Sequence, residues 1–184
     1  VQTILLDACV LYPATLRDFL LRLVEAGVFR GHMSRDILDE CFRSVARDRP
    51  ELGPKLKRTR QILETAFSDL LVEGYEPLIG GIELPDPDDR HVLAAAIAAE
   101  ATHIVTFNLR DFPAELLARH GVVAVHPDAL VLAFVEAQPE IVVDVVHAQA
   151  AGLRNPPMSG GMLVDRLARQ GLVGSAAALR GLVR

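Results

Sequence analysis

The sequence predicts an α/β domain with a mainly parallel sheet, followed by a helical extension. Three observations carry this. Short apolar runs of strand character, at residues 2–6, 103–107 and 122–126, are separated by segments of helical periodicity. The last two runs are apolar with a helix between them, as expected of parallel strands covered on both faces. After Pro127 the strand pattern stops and only helical segments follow. The expected organisation is a first unit over residues 1–127 and an extension over 128–184.

Taken in order, Gln2 to Leu6 reads as a strand that ends on Asp7. Ala14 to Ala26 is an amphipathic helix, with Leu16, Phe19, Leu20, Leu23 and Val24 on one stripe and Gly27 as its stop. Ser34 caps a helix over Arg35 to Arg47, whose Ile37, Leu38, Cys41, Phe42 and Val45 share a face, and Pro50 ends it. A charged helix follows, around Pro54 to Leu70. Leu71 to Pro87 is punctuated by Pro77, Gly80, Gly81, Pro85 and Pro87, and reads as loop with one short strand. Asp88 or Asp89 then opens an Ala-rich helix to about Glu100, apolar nearly all round and therefore buried. His103 to Phe107 is a strand, Pro113 to His120 a helix and Val122 to His126 a strand. The extension holds helices over Asp128 to Gln138 and Pro139 to Ala151, a break at Leu153 to Gly161, and helices over Met162 to Gln170 and Ser175 to Arg184.

Composition excludes several classes. The longest apolar run, Val92 to Ala99, is less than half of the ~18 residues that a membrane span needs. A net charge of −5 argues against coating nucleic acid by bulk charge, and the absence of Trp leaves little material for stacking on bases. Cys9 and Cys41 form neither a disulfide framework nor a zinc-site spacing, which points to a reducing cytoplasm.

The acids carry the functional signal. Asp7 directly follows the first strand, and Asp111 lies four residues after the strand ending at Phe107. In an open parallel sheet both would face the crevice at the carboxyl ends of the strands, where ligands bind. Asp86, Asp88 and Asp89 crowd the start of the Ala-rich helix. Any one of these acids serves equally well as a turn or cap residue, but one cap needs one acid and three in four residues exceed that need. Carboxylates gathered without matching cations repel one another, and the usual remedy is a hard divalent ion such as Mg²⁺ or Mn²⁺. A fourth acid is expected from the Ser34 helix, where periodicity leaves Asp36, Asp39 and Glu40 open.

The order of these acids resembles that of the PIN-domain ribonucleases, the metal-dependent family that includes the VapC-type toxins. Four blocks carry the resemblance: LLDACVLYP at Leu5 to Pro13, SRDILDECFR at Ser34 to Arg43, DPDDRHVLAAAIAAEATHIVTFN at Asp86 to Asn108, and NLRDF at Asn108 to Phe112. The four blocks stand in this order over residues 2 to 126. The resemblance implies a three-layer α/β/α domain whose catalytic, metal-holding acids are Asp7, Glu40, Asp89 and Asp111, with Asn108 and Thr106 as polar support. Asp86 and Asp88 compete with Asp89, which fits the helix phase before Val92. It further implies an endoribonuclease using one or two Mg²⁺ or Mn²⁺ ions, an antitoxin protein as partner and assembly as a homodimer. The family often has Asn or Ser/Thr two residues after its first acid; here Cys9 stands there, read as a small buried residue that cannot replace an amide's donor and acceptor, with a redox pairing to Cys41 as the lesser alternative.

RNA needs cations elsewhere. Arg43, Arg47, Arg49, Lys55, Lys57, Arg58 and Arg60 place seven within 18 residues, and of these Arg43 and Arg47 share a helix flank with Glu40. Together with Arg90 and Arg110, each next to a proposed ligand, they are the RNA-contact candidates, equally readable as solvated surface. His91 is assigned to packing or surface.

Rival functions meet obstacles. A receiver-like domain needs a Lys after a late strand, but both lysines lie on the third helix. A haloacid-dehalogenase-type phosphatase needs an acid where Cys9 sits, and a dinucleotide-binding fold needs a Gly-rich turn after the first strand. Two rivals stay open: a catalytically silent PIN-like binding module, and a housekeeping RNA-processing nuclease. In the extension, Leu130, Val131, Phe134, Val135, Ile141, Val142, Val145 and Val146 form an apolar stripe expected to pack on the first unit rather than to assemble copies or seat a partner.

Overall fold

Four short strands form one all-parallel sheet in a computed structural model that describes residues 1–183. They are β1 (Thr3–Leu6), β2 (Arg30–His32), β3 (His103–Val105) and β4 (Val123–Val125), laid side by side as β2-β1-β3-β4. Leu5 sits opposite both His32 and Ile104, and Ile104 opposite Ala124. The eleven α-helices among the described residues run in chain order. They are α1 (Ala8–Leu11), α2 (Ala14–Glu25), α3 (Arg35–Asp48), α4 (Gly53–Ala66), α5 (Glu76–Ile79), α6 (Arg90–Ala98), α7 (Ala114–Leu117), α8 (Pro127–Ala137), α9 (Pro139–Gly152), α10 (Gly160–Arg169) and α11 (Val173–Arg180).

The chain leaves β1 towards β2 on one side, then crosses back to β3 on the other. Right-handed crossovers, the rule for parallel strands, then put α2 on one face of the sheet and the α3–α6 run on the other. The two central strands are buried on both faces: Ile4, Leu5, Leu6, Ile104 and Val105 are fully inaccessible. Each such side chain contributes about 1.5–3 kcal/mol relative to an exposed one. The stripes expected on α2 and α3 are the ones buried, apart from Val24, which is only partly covered, and Ser34 caps α3 by accepting from the Ile37 N–H at 3.1 Å.

Several expectations need correcting. β2 has no sequence signal, being three residues with a glycine in the middle and an exposed arginine at one end. Its glycine is required by packing, since a Cβ on Gly31 would lie 2.6 Å from Val24 Cγ2. The strand expected within Leu71 to Pro87 is replaced by the helical turn α5, with one isolated parallel bridge from Leu71 to Met33. Pro77, taken as a breaker, sits in the first turn of α5, where a helix tolerates proline. The helix expected to reach Leu70 ends as α4 at Ala66, with a separate tight turn at Ser68–Leu70. The final helix begins at Val173 and ends at Arg180, and Arg184 lies outside the described residues. Among the described residues, no helix is long and apolar enough to cross a membrane.

The C-terminal helices pack on the first unit through α2 and α9. Phe134 stacks on Phe29 with ring centres 5.5 Å apart, and Leu130, Val131, Val135, Val142, Val145 and Val146 are buried, although Ile141 stays 38% exposed. Polar contacts tie the same surfaces. Pro13, at the start of α2, offers no capping side chain, and Gln170 supplies one by accepting from the Leu16 N–H at 3.0 Å. Gln149 donates to the Thr15 carbonyl at 3.0 Å.

Candidate active site

β1 and β3 are adjacent strands whose onward connections run in opposite directions, so the crevice outside their carboxyl ends is the topological switch point where ligands bind in open α/β sheets. Asp7 leaves β1 there and is only 4% exposed. Its carboxylate is fixed from three sides. One oxygen accepts from the Ala8 N–H at 2.7 Å, which caps α1, while the other accepts from the Thr106 hydroxyl at 2.7 Å and the Cys9 thiol at 3.1 Å. Burial raises its pKa, against the lowering effect of these bonds, and repulsion from Glu40 raises it further.

Thr106 and Cys9 are themselves held. The Asn108 N–H donates to Thr106 Oγ1 at 2.9 Å, and the Phe107 N–H donates to Cys9 Sγ at 3.2 Å. Cys9 therefore serves as donor and acceptor at once, which corrects the expectation that a thiol could not. Burial first, then the charge of Asp7, pushes its thiol up to about 12, and burial pushes Cys41 to about 11. Both cysteines are free thiols.

Beside Asp7 opens a cleft of about 590 Å³. Its walls carry Asp36, Asp39, Glu40, Arg43, Ser44 and Arg47 from α3, Asp86, Asp88, Asp89 and His91 from the start of α6, and Asn108 and Asp111 from the turn after β3. Glu40, Asp89 and Asp111 thus come together beside Asp7, from segments far apart in sequence. Asp89 registers the crowding: burial, and then repulsion from Asp7, Asp111, Asp86 and Glu40, raises its pKa to about 7.

The structure also separates acids that periodicity could not. Asp39 is engaged by Arg60 of α4, and Asp36 accepts from the Tyr75 hydroxyl at 2.8 Å. Glu40 is the α3 acid whose charge reaches both Asp7 and Asp89. Asp86 accepts from the Asp88 N–H at 2.9 Å as a local cap, and Asp88 is exposed, whereas Asp89 is half-buried among the other acids.

His91 was assigned to packing or surface, yet its Nε2 lies 3.3 Å from Glu40 Oε2, while its Nδ1 is buried without a partner. Burial lowers its pKa, but the bond to Glu40 and the charges of Glu40, Asp36 and Asp7 outweigh it and raise the value overall. Its position beside Asp89 in the first turn of the buried helix was the only sequence signal for this contact.

The basic candidates divide. Arg43 and Arg47 line the cleft, Arg47 also pairing with Asp48 at 3.0 Å. Arg110 is exposed on the turn before Asp111. Arg90 is half-buried with an unpartnered Nε and is not part of the cleft wall. Of the wider cluster, Arg49 pairs with Glu51, and Arg60 with Asp39 and Glu64, so the free basic surface is smaller than the sequence count suggests.

A hard divalent ion fits the chemistry of this cleft, whose donors are mostly carboxylate oxygens and carry more negative charge than Arg43 and Arg47 offset. Among the described residues no three His, Cys, Asp or Glu side chains stand close enough together, as placed, to hold a metal ion. Acids that ring a cleft suit an ion that keeps part of its water shell, as Mg²⁺ does.

Comparison with known proteins agrees with this geometry. The PIN-domain family model matches residues 3–110, and the model of the VapC50 C-terminal domain matches residues 127–181. Over 140 residues the chain is 29% identical to a Mycobacterium tuberculosis protein bearing the provisional name ribonuclease VapC50, covering 76% of this chain and 81% of that protein. No solved structure matches by the same standard.

Proposed function

This chain belongs to the PIN-domain family, and from that premise we propose that it is a Mg²⁺- or Mn²⁺-dependent endoribonuclease of the VapC type, the toxin of a cytoplasmic toxin–antitoxin pair. The observation that carries the reading is the meeting of Glu40, Asp89 and Asp111 at one cleft, with buried Asp7 near enough to act on Asp89, which burial and its neighbours push to about 7. Such a cluster is stable in fully ionised form only with a cation among its carboxylates.

In this reading Asp7, Asp89 and Asp111 would hold the ion, and Glu40, braced by His91, would orient the attacking water. A bound ion would supply a lowered pKa for that water and charge stabilisation at the leaving oxygen. Thr106 and Cys9 hold the Asp7 carboxylate in place, and the Asn108 backbone fixes Thr106 in turn. Arg43 and Arg47 meet RNA phosphates at the cleft wall, with Arg110 at its exposed margin and Arg90 behind it. Residues 1–127 form the catalytic unit and 128–184 an extension packed on it. An antitoxin protein and a second copy of the chain are the proposed protein partners.

The test is cleavage of a mixed RNA pool with Mn²⁺, Mg²⁺ or chelator, for wild type, Asp7→Asn and Asp111→Asn. Metal-dependent cutting that disappears in both variants is expected. Cutting that persists in chelator, or in both variants, overturns the reading.

A further inference from the structure

A second depression, of about 330 Å³, adjoins the acid cleft and shares Glu40, Ser44, Arg47 and Asn108 with it. Its remaining lining is Tyr12 and Asp48, Cys41 of α3, and the short stretch Ala8–Cys9 at the start of α1. We propose that this depression is a nucleobase subsite, which receives the unstacked base of a nucleotide next to the bound phosphate. The inference rests on the nuclease reading and extends it to how the strand is read.

Four features of the depression fit a base. Tyr12 offers an aromatic ring, held in place because its hydroxyl donates to Asp48 Oδ2 at 2.9 Å. Single-stranded RNA is read by splaying bases onto such rings and onto arginine planes, and Arg47 supplies the plane. Asn108 is exposed and its side-chain amide has no partner among the described residues, so donor and acceptor are both free for a base edge. The side chains lining it from α1 are small and occupied: Ala8 ends at its Cβ, and the Cys9 thiol is turned to Asp7 and the Phe107 N–H.

Continuity decides the occupant. Glu40, Ser44, Arg47 and Asn108 stand between the two spaces, so a phosphate at the acids places its own nucleoside beside Tyr12. An isolated metabolite pocket would have no reason to share a wall with the acid cleft. A base stacked there makes binding depend on one nucleotide of the strand in a way that phosphate contacts alone do not.

The test uses the full chain carrying Asp111→Asn, whose side chain makes no hydrogen bond among the described residues, so that the fold is kept while cleavage is suppressed. Fluorescence anisotropy measures binding of labelled seven-nucleotide RNAs, with a single abasic nucleotide walked along the strand, in Mn²⁺. One abasic position is expected to weaken binding about tenfold, the scale of one base stacked on an aromatic ring. Adding Tyr12→Leu removes that dip, whereas Tyr12→Phe, which keeps the ring, retains it; thermal melts of each variant check the fold. A parent that binds RNA with a flat abasic walk, or a dip that survives Tyr12→Leu, overturns the subsite alone. A parent that binds none of the RNAs overturns the nuclease reading and the subsite together.

Discussion

The Thr106 hydroxyl donates to Asp7 Oδ2 at 2.7 Å, joining residues 99 apart in sequence at the ends of two adjacent strands. The bond exists because β1 and β3 pair in register, with Leu6 opposite Val105, so the next residue of each strand emerges at the same level. Thr106 is fully buried and also accepts from the Asn108 N–H, so one hydroxyl links the first acid to the loop carrying the last. Thr106→Val keeps the shape and removes both bonds. Stability is expected to fall by about 1–3 kcal/mol, because Asp7 and the Asn108 N–H lose a partner. Mn²⁺ affinity is expected to fall about 10–100-fold, as for other groups that orient a metal ligand. Denaturant melts and calorimetric titration read the two effects, and a wild-type affinity in Thr106→Val would remove Thr106 from the site.

Cys9 is expected to be unreactive in the folded chain. With its thiol near 12 and that of Cys41 near 11, almost no thiolate exists at neutral pH. Alkylation at pH 7.5 should be slow in the native protein and rapid at both thiols in denaturant. Cys9→Ser, which keeps a donor for Asp7, should retain most activity, and Cys9→Ala should lose more. Fast native alkylation of Cys9 would contradict the partly buried, hydrogen-bonded thiol.

Asp89→Asn should trade metal binding for stability. In chelator, the neutral side chain relieves the repulsion that Asp7, Asp111, Asp86 and Glu40 exert on it, so the melting temperature is expected to rise. In Mn²⁺ the order should reverse, since the wild-type chain gains more from the ion than the variant does. Thermal melts of both proteins in both conditions decide the matter. A variant less stable than wild type in chelator would mean that Asp89 is held by contacts other than its fellow acids.

Asp128 is expected to make the extension sensitive to acid. Its carboxylate accepts from the Gly174 and Ser175 N–H groups at 2.8 Å each and from the Ser175 hydroxyl, so it caps α11 from the first turn of α8. Partial burial raises its pKa, but the bonds from Ser175 and Gly174 outweigh that and hold it below the ordinary value of 3.8. A depressed carboxyl contributes stability above its unfolded pKa and loses it as pH falls through the folded value. Asp128→Asn should therefore cost about 1–2 kcal/mol at pH 7. The difference from wild type should shrink once pH falls below about 4. A difference that stays constant down to pH 2 would show that the ionised form is not what matters.

The main elements, and where the acids fall among them, are legible in the order of residues alone. Apolar runs mark β1 and β3, stripes mark α2 and α3, and Asp7 and Asp111 sit at readable distances after the strands, because burial repeats with the local period of each element. β2 escaped because three residues centred on Gly31 hold no period, and their place comes from pairing with β1 and packing under Val24 and Phe29. Only the tertiary structure separated Glu40 from Asp39, two residues on opposite flanks of the apolar stripe of α3. The difference lies in α4, which brings Arg60 onto Asp39, and in α6, which brings His91 to Glu40. The same holds for Cys9 on Phe107 and Asp128 on Ser175. A side chain's periodicity states which way it faces, whereas its charge partner depends on which distant element the packed core carries to it.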